Sequence, residues 1–185
     1  MTVRNALHRR FLRATRGAVA VEFAIISPVL ITMMGALYEI GHAFQAQTAA
    51  NELASQYAIS WADCVDNPVG TCATEISQYT PTVAIGNISP QLTAANVCLQ
   101  MFQVTMSGTT PVVAASPYAS PSPCTGGTTL SAAQTSAAQA SLQSGQTGVI
   151  VTVNYTYTVA LFPGLLSGVI PSSVPMSYTV VQLKA

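Results

Sequence analysis

Glu22 is the one charged side chain in an otherwise apolar run, and no other residue of this chain is so clearly placed to do chemistry. The run extends from Ala18 to Tyr38, 21 residues. A carboxylate at mid-membrane costs about 2.5–3.5 kcal/mol on insertion scales, so an acid in such a stretch is functional by default. Two chemistries suit it. Glu22 opens the run, so it can stay hydrated at the headgroups; alternatively it can pair with a cation inside the bilayer. The flanking charge is equally uneven. All five arginines lie within the first 16 residues, and Lys184 is the only other Lys or Arg.

These residues must be positioned by a membrane helix. About 20 apolar residues cross a hydrocarbon core of ~30 Å. Arginines at one flank hold that flank in the cytoplasm, so the rest of the chain after Tyr38 is expected to be exported. A cleaved secretory signal has the same order of basic and apolar parts. The apolar run is longer than a usual signal core, however. No small-x-small cleavage site follows it until Ala43-Phe-Gln-Ala46 or Ala46-Gln-Thr-Ala49. The reading is therefore a retained single span with a cytoplasmic amino terminus. Glu39, 17 residues past Glu22, falls ~25 Å further along a helix, near the outer headgroups. Pro28 removes one helical hydrogen bond and frees the carbonyl of Ala24, which predicts a kink aided by Gly35.

Composition narrows the function. Only 6% of residues are charged. Beyond residue 17, one lysine opposes Glu22, Glu39, Glu52, Asp63, Asp66 and Glu75, a side-chain charge of −5. That gives no electrostatic basis for holding nucleic acid. Catalysis finds no constellation either. His42 is the only histidine beyond the basic segment and sits beside the span, and His8 lies within the segment itself. No phosphate loop or His-Glu-x-x-His motif occurs, and Asp63 with Asp66 reads as a solvated turn. No catalytic residue, metal or cofactor is expected.

Four cysteines, Cys64, Cys72, Cys98 and Cys124, lie on the exported side. An even count in an oxidising compartment predicts two disulfides, with three connectivities allowed. The turn-forming Asp66-Asn-Pro-Val-Gly70 favours Cys64–Cys72, which leaves Cys98–Cys124. Intervening lengths of 7, 25 and 25 residues lack the Cys-x-x-Cys knuckle of a zinc site.

The exported part reads as α+β. Ala50, Leu53, Ala54, Tyr57, Ala58 and Trp61 follow i, i+3, i+4, i+7 spacing, with Asn51, Glu52, Ser55 and Gln56 opposite, so the helix should continue to about Asp63. From Val149 to Leu161, apolar and polar residues alternate as in a half-buried strand. Cys98–Met106 and Met176–Leu183 are further strands, with a weaker one over Thr82–Ile88. They are expected to form a small antiparallel sheet covering the distal helix. The stretch 107–148 is rich in Ser, Thr, Ala, Gly, Pro and Gln and reads as a looped insertion, with a short alanine-rich helix or a mobile segment over Leu130–Leu142. Phe162–Pro175 is broken by prolines and glycines and reads as an irregular connection. Asn87-Ile-Ser89 and Asn154-Tyr-Thr156 fit the glycosylation pattern by chance.

Arg16-Gly17, four small apolar residues, then Glu22-Phe23 and a hydrophobic helix resembles the signal of type IV pilin-like proteins. Gly17-Ala-Val-Ala-Val-Glu22-Phe23-Ala, Ser27-Pro28-Val29-Leu30 and Tyr38-Glu39-Ile-Gly41 more closely resemble TadE-like pseudopilins of tight-adherence (Tad/Flp) pilus systems. The resemblance covers about Arg9 to Trp61. It implies a pilin-like lollipop: a long amino-terminal helix packed on a small antiparallel sheet. It implies cleavage by a prepilin peptidase between Gly17 and Ala18. Glu22 then becomes the fifth residue, pairing with a neighbour's terminal amine during assembly. Phe23 stands where major Flp pilins usually carry tyrosine, which with the long exported region favours a minor subunit.

The resulting organisation is a cleaved basic leader (1–17), a span (18–38), an extracytoplasmic helix continuation (39–62) and a disulfide-bonded sheet domain (63–185). The expected function is a minor structural subunit of a Tad/Flp pilus at the bacterial inner membrane, with its carboxy-terminal domain periplasmic, involved in adhesion or biofilm formation. The expected partners are the prepilin peptidase, the major pilin, other TadE- or TadF-like minor pilins and the assembly platform. The alternative is an unprocessed single-span envelope protein acting as a binding or scaffold module. A secreted soluble hydrolase is a third reading, and it would lose the whole apolar segment.

Overall fold

The computed structural model describes residues 3–63, 85, 92–114, 118–119, 124, 129–159 and 172–184. Helix α1 runs Val3–Ala62. The chain divides into two compact units, Met1–Gly41 and His42–Ala185.

The second unit is a three-layer α+β domain. Its sheet comprises β1 (Val97–Ser107), β2 (Thr110–Val113), β3 (Tyr118–Ala119), β4 (Thr147–Thr158) and β5 (Ser173–Leu183). All pairings are antiparallel, in the order β2-β1-β4-β5, with β3 also pairing β1. Helix α2 (Ala132–Ser141) lies between β3 and β4 in the chain.

One sheet face packs on the distal part of α1. Val97, Leu99 and Met101 of β1 and Val149, Val151, Val153, Tyr155 and Tyr157 of β4 form a core with Ala46, Ala50, Leu53, Ala54, Tyr57, Ala58 and Trp61. The alanines let the helix approach the sheet, while Leu53 and Trp61 fill the space between them. The helical side expected to be buried is buried, and Asn51, Glu52 and Gln56 opposite it are exposed.

The other sheet face carries a second core of Phe102, Val104, Met106 and Ile150, roofed by Ala138 and Leu142. Gly148 makes this roof possible, since a Cβ there would lie 2.8 Å from the Leu142 side chain. Strand β4 is thus covered on both faces along its first half.

The structure corrects several readings of the sequence. Within the stretch 107–148, the short alanine-rich helix offered over Leu130–Leu142 is present at Ala132–Ser141, but strand β2, read as loop, is added to it. Strands β1 and β2 form a hairpin through Gly108, whose φ of 63° suits a residue without a Cβ. Pro111 is accommodated because β2 is an edge strand of the described sheet, where a missing N–H costs no ladder bond. The same reason lets β5 begin at Ser173 and include Pro175, residues assigned above to an irregular connection. Of the weak strand over Thr82–Ile88, only Ile85 is described, and it is helical and buried. Leu161 lies outside the described residues; β4 ends at Thr158.

Candidate functional site

Between Ala18 and Tyr38, α1 is apolar on every side apart from Glu22. Val21, Phe23, Ile25, Leu30, Met34 and Leu37 are all exposed, Phe23 by 70%. A helix that is hydrophobic all round belongs inside a core or a bilayer. None of its most apolar window is buried, and this helix is long and apolar enough to cross a membrane.

Gly17, Ala18, Glu22, Phe23 and Pro28 all lie on α1. Ala18 and Glu22 are separated by four residues, which places them on one helical face, one turn apart. Glu22 is exposed. Pro28 is interior to the helix and cannot bond to the Ala24 carbonyl. One turn on, Thr32 Oγ1 donates to the Pro28 carbonyl at 2.7 Å. Such back-bonding by a threonine favours bending, so two bend-promoting features sit in adjacent turns. Thr32 was not singled out from the sequence.

A disulfide joins Cys98 and Cys124, with Cα atoms 4.8 Å apart. It ties β1 to the chain preceding α2. Cys64 and Cys72 lie outside the described residues.

Around this bridge the structure shows an arrangement that the sequence reading passed over. Helix α2 opens with a capping box: Ser131 accepts from the Gln134 N–H at 3.2 Å, while the Gln134 side chain accepts from the Ser131 N–H at 2.8 Å. The Gln134 Nε2 then donates to Thr152 Oγ1 at 3.0 Å and to Gln100 Oε1 at 3.2 Å. Thr152 and Thr179 share a further 3.0 Å bond across β4 and β5. A polar row, Gln100–Thr152–Thr179, buried at Thr152 and half-buried at its ends, therefore crosses three strands with its partners supplied. The Ser-x-x-Gln spacing was the available signal for the start of α2.

On the opposite face, burial raises the Tyr155 pKa, although hydrogen bonds with the backbone and side chain of Thr93 act the other way. The ring is 5% exposed, so Tyr155 stays neutral at physiological pH.

The fold and the apolar helix together define an α+β protein with an amino-terminal segment suited to membrane anchoring. Residues 17–58 match the family model described as TadE-like protein. The similarity is confined to that segment, under a quarter of the 185 residues. No curated protein and no solved structure matches the chain.

Proposed function

We propose that this chain is a minor structural subunit of a Tad/Flp-type pilus, anchored through 18–38 and presenting the sheet domain on the far side of the inner membrane. One observation carries the reading. The TadE-like match begins at Gly17, one residue before the apolar helical stretch that starts at Ala18, and it holds Glu22 one turn beyond Ala18.

In this proposal a prepilin peptidase cuts between Gly17 and Ala18 on the cytoplasmic side. The bond lies within α1, so cleavage requires local unwinding; Gly17 lowers its cost by about 1 kcal/mol relative to alanine. The cut removes all five arginines and creates an ammonium at Ala18. Glu22 is then an acid in hydrocarbon needing a cation, and the terminal amine of a neighbouring subunit supplies one. Loss of one partner from such a buried pair costs about 3–5 kcal/mol. The bend-promoting Pro28 and Thr32 let the stem repack as it passes from lipid to a helical bundle. The major pilin, TadE- or TadF-like minor pilins and the assembly platform are the proposed partners, and adhesion or biofilm formation is the proposed outcome.

Substitution of Gly17 tests the processing step. Gly17→Leu should leave the precursor in the membrane uncut, read as retained mass on immunoblots of native-host membranes. Normal maturation of that variant would exclude cleavage at this bond.

A further inference from the structure

Along the first unit, the side chains of α1 define one heptad register. With Glu22 at position g, Phe23, Leu30 and Leu37 fall at a, and Ile26, Met33 and Ile40 at d. All six are large, apolar and exposed, and this spacing sets them along one side of the helix. Every other register over 22–40 puts Glu, Ser, Thr, Pro or Ala at an a or d position. Pro28 and Gly35 both fall at f, opposite the seam, so a bend there leaves the seam unbroken.

We propose that this seam is the contact face of a parallel, in-register dimer of the chain within the membrane. Copies of one chain share one orientation, set by the arginines ahead of the span, so they meet parallel. In a parallel pair, position g of one helix faces position e of the next heptad on the other. The Ser27 hydroxyl of the second copy then donates to the Glu22 carboxylate. By the same rule Val29 meets Met34, an apolar pair, and Ala36 meets Gly41, a small one. Interhelical hydrogen bonds and small residues at close approach are what hold helices together in lipid. The other aliphatic hydroxyl of the span, Thr32, is already used on the Pro28 carbonyl. Gly41 weakens its own helix, yet a Cβ there would meet nothing within 4 Å among the described residues. Close approach of a second helix accounts for it. Ala18 falls at position c, off the seam, so the dimer does not use a terminal amine and is open to the uncut chain. It does not rest on cleavage after Gly17, and either proposal can fail without the other.

The test is cysteine cross-linking of the purified full chain in phosphatidylcholine vesicles, where a second copy is the one partner offered. Ile26→Cys, Leu30→Cys, Met33→Cys and Leu37→Cys occupy the seam, and Ile25→Cys and Ile31→Cys lie at c and b. The unsubstituted chain gives the background from the native cysteines. On oxidation with copper phenanthroline, the seam variants should form about fivefold more linked dimer than the other two. Energy transfer between labelled chains then reads the polar pair. Ser27→Ala should weaken association about threefold or more, the equivalent of one interhelical hydrogen bond in a bilayer, and Ser27→Thr should not. Cross-linking that is absent, equal at all positions or strongest at b or c would overturn the proposal, as would a Ser27→Ala chain that associates like the wild type. So would a seam variant that, in native-host membranes, is linked to a protein of different mass in place of a second copy.

Discussion

The Gln134 side-chain amide donates to Thr152 Oγ1 at 3.0 Å, joining the first turn of α2 to the central strand β4. Both residues are buried, 2% and 4% exposed, and Gln134 also completes the cap of its own helix. One side chain therefore starts α2, satisfies a polar row on the sheet and sets where the helical roof stops.

Gln134→Ala should lower stability by about 2 kcal/mol, because Gln100 and Thr152 lose their buried partner and the capping box is broken. Denaturant unfolding measures this directly. Gln134→Glu should not rescue it, since it removes the Nε2 donor.

Cys98→Ala with Cys124→Ala should destabilise the sheet domain by about 3.5 kcal/mol, the chain-entropy value for a loop of this size. The two cysteines are 26 residues apart. The midpoint of thermal unfolding, compared with and without the pair, reads the effect. An unchanged midpoint would mean that the segment before α2 is already constrained by other contacts.

Tyr155 provides a pH signature. Its pKa is raised by burial, so the folded chain holds this proton more tightly than the unfolded chain. The stabilisation is fully present below the unfolded tyrosine value of about 10, and is lost as pH rises through the folded value. The wild-type chain should therefore lose stability above about pH 10 more steeply than Tyr155→Phe, in unfolding curves taken across the alkaline range.

How far these features were legible in the sequence depended on what covers them. The distal half of α1 was readable because Leu53, Tyr57 and Trp61 recur at helical spacing against exposed Glu52 and Gln56. Strand β4 was readable through its alternation, although Ile150 and Thr152, on its polar face, are buried by α2. That burial had no signature in periodicity, since α2 offers the sheet little more than Ala138, Leu142 and a glutamine. Strand β2 was hidden by Pro111, and the start of β5 by Pro175, because a proline reads as a breaker until the strand is known to be an edge. For Glu22, sequence identified the residue type and its apolar setting. Its proposed cation belongs to another subunit, so no intrachain pattern can specify the contact.

Glu22→Ala should leave insertion and cleavage intact while abolishing co-purification with pili sheared from the native host. Glu22→Asp, which keeps the charge on a shorter side chain, should restore part of it. Unchanged co-purification of Glu22→Ala would contradict the pairing role.

Mass determination of the amino terminus, on protein isolated from its native membrane, tests the central claim most directly. A mature chain beginning at Ala18 is the result expected of a processed pilus subunit. A chain that keeps its arginine-rich segment intact would contradict that assignment and leave a tethered envelope domain.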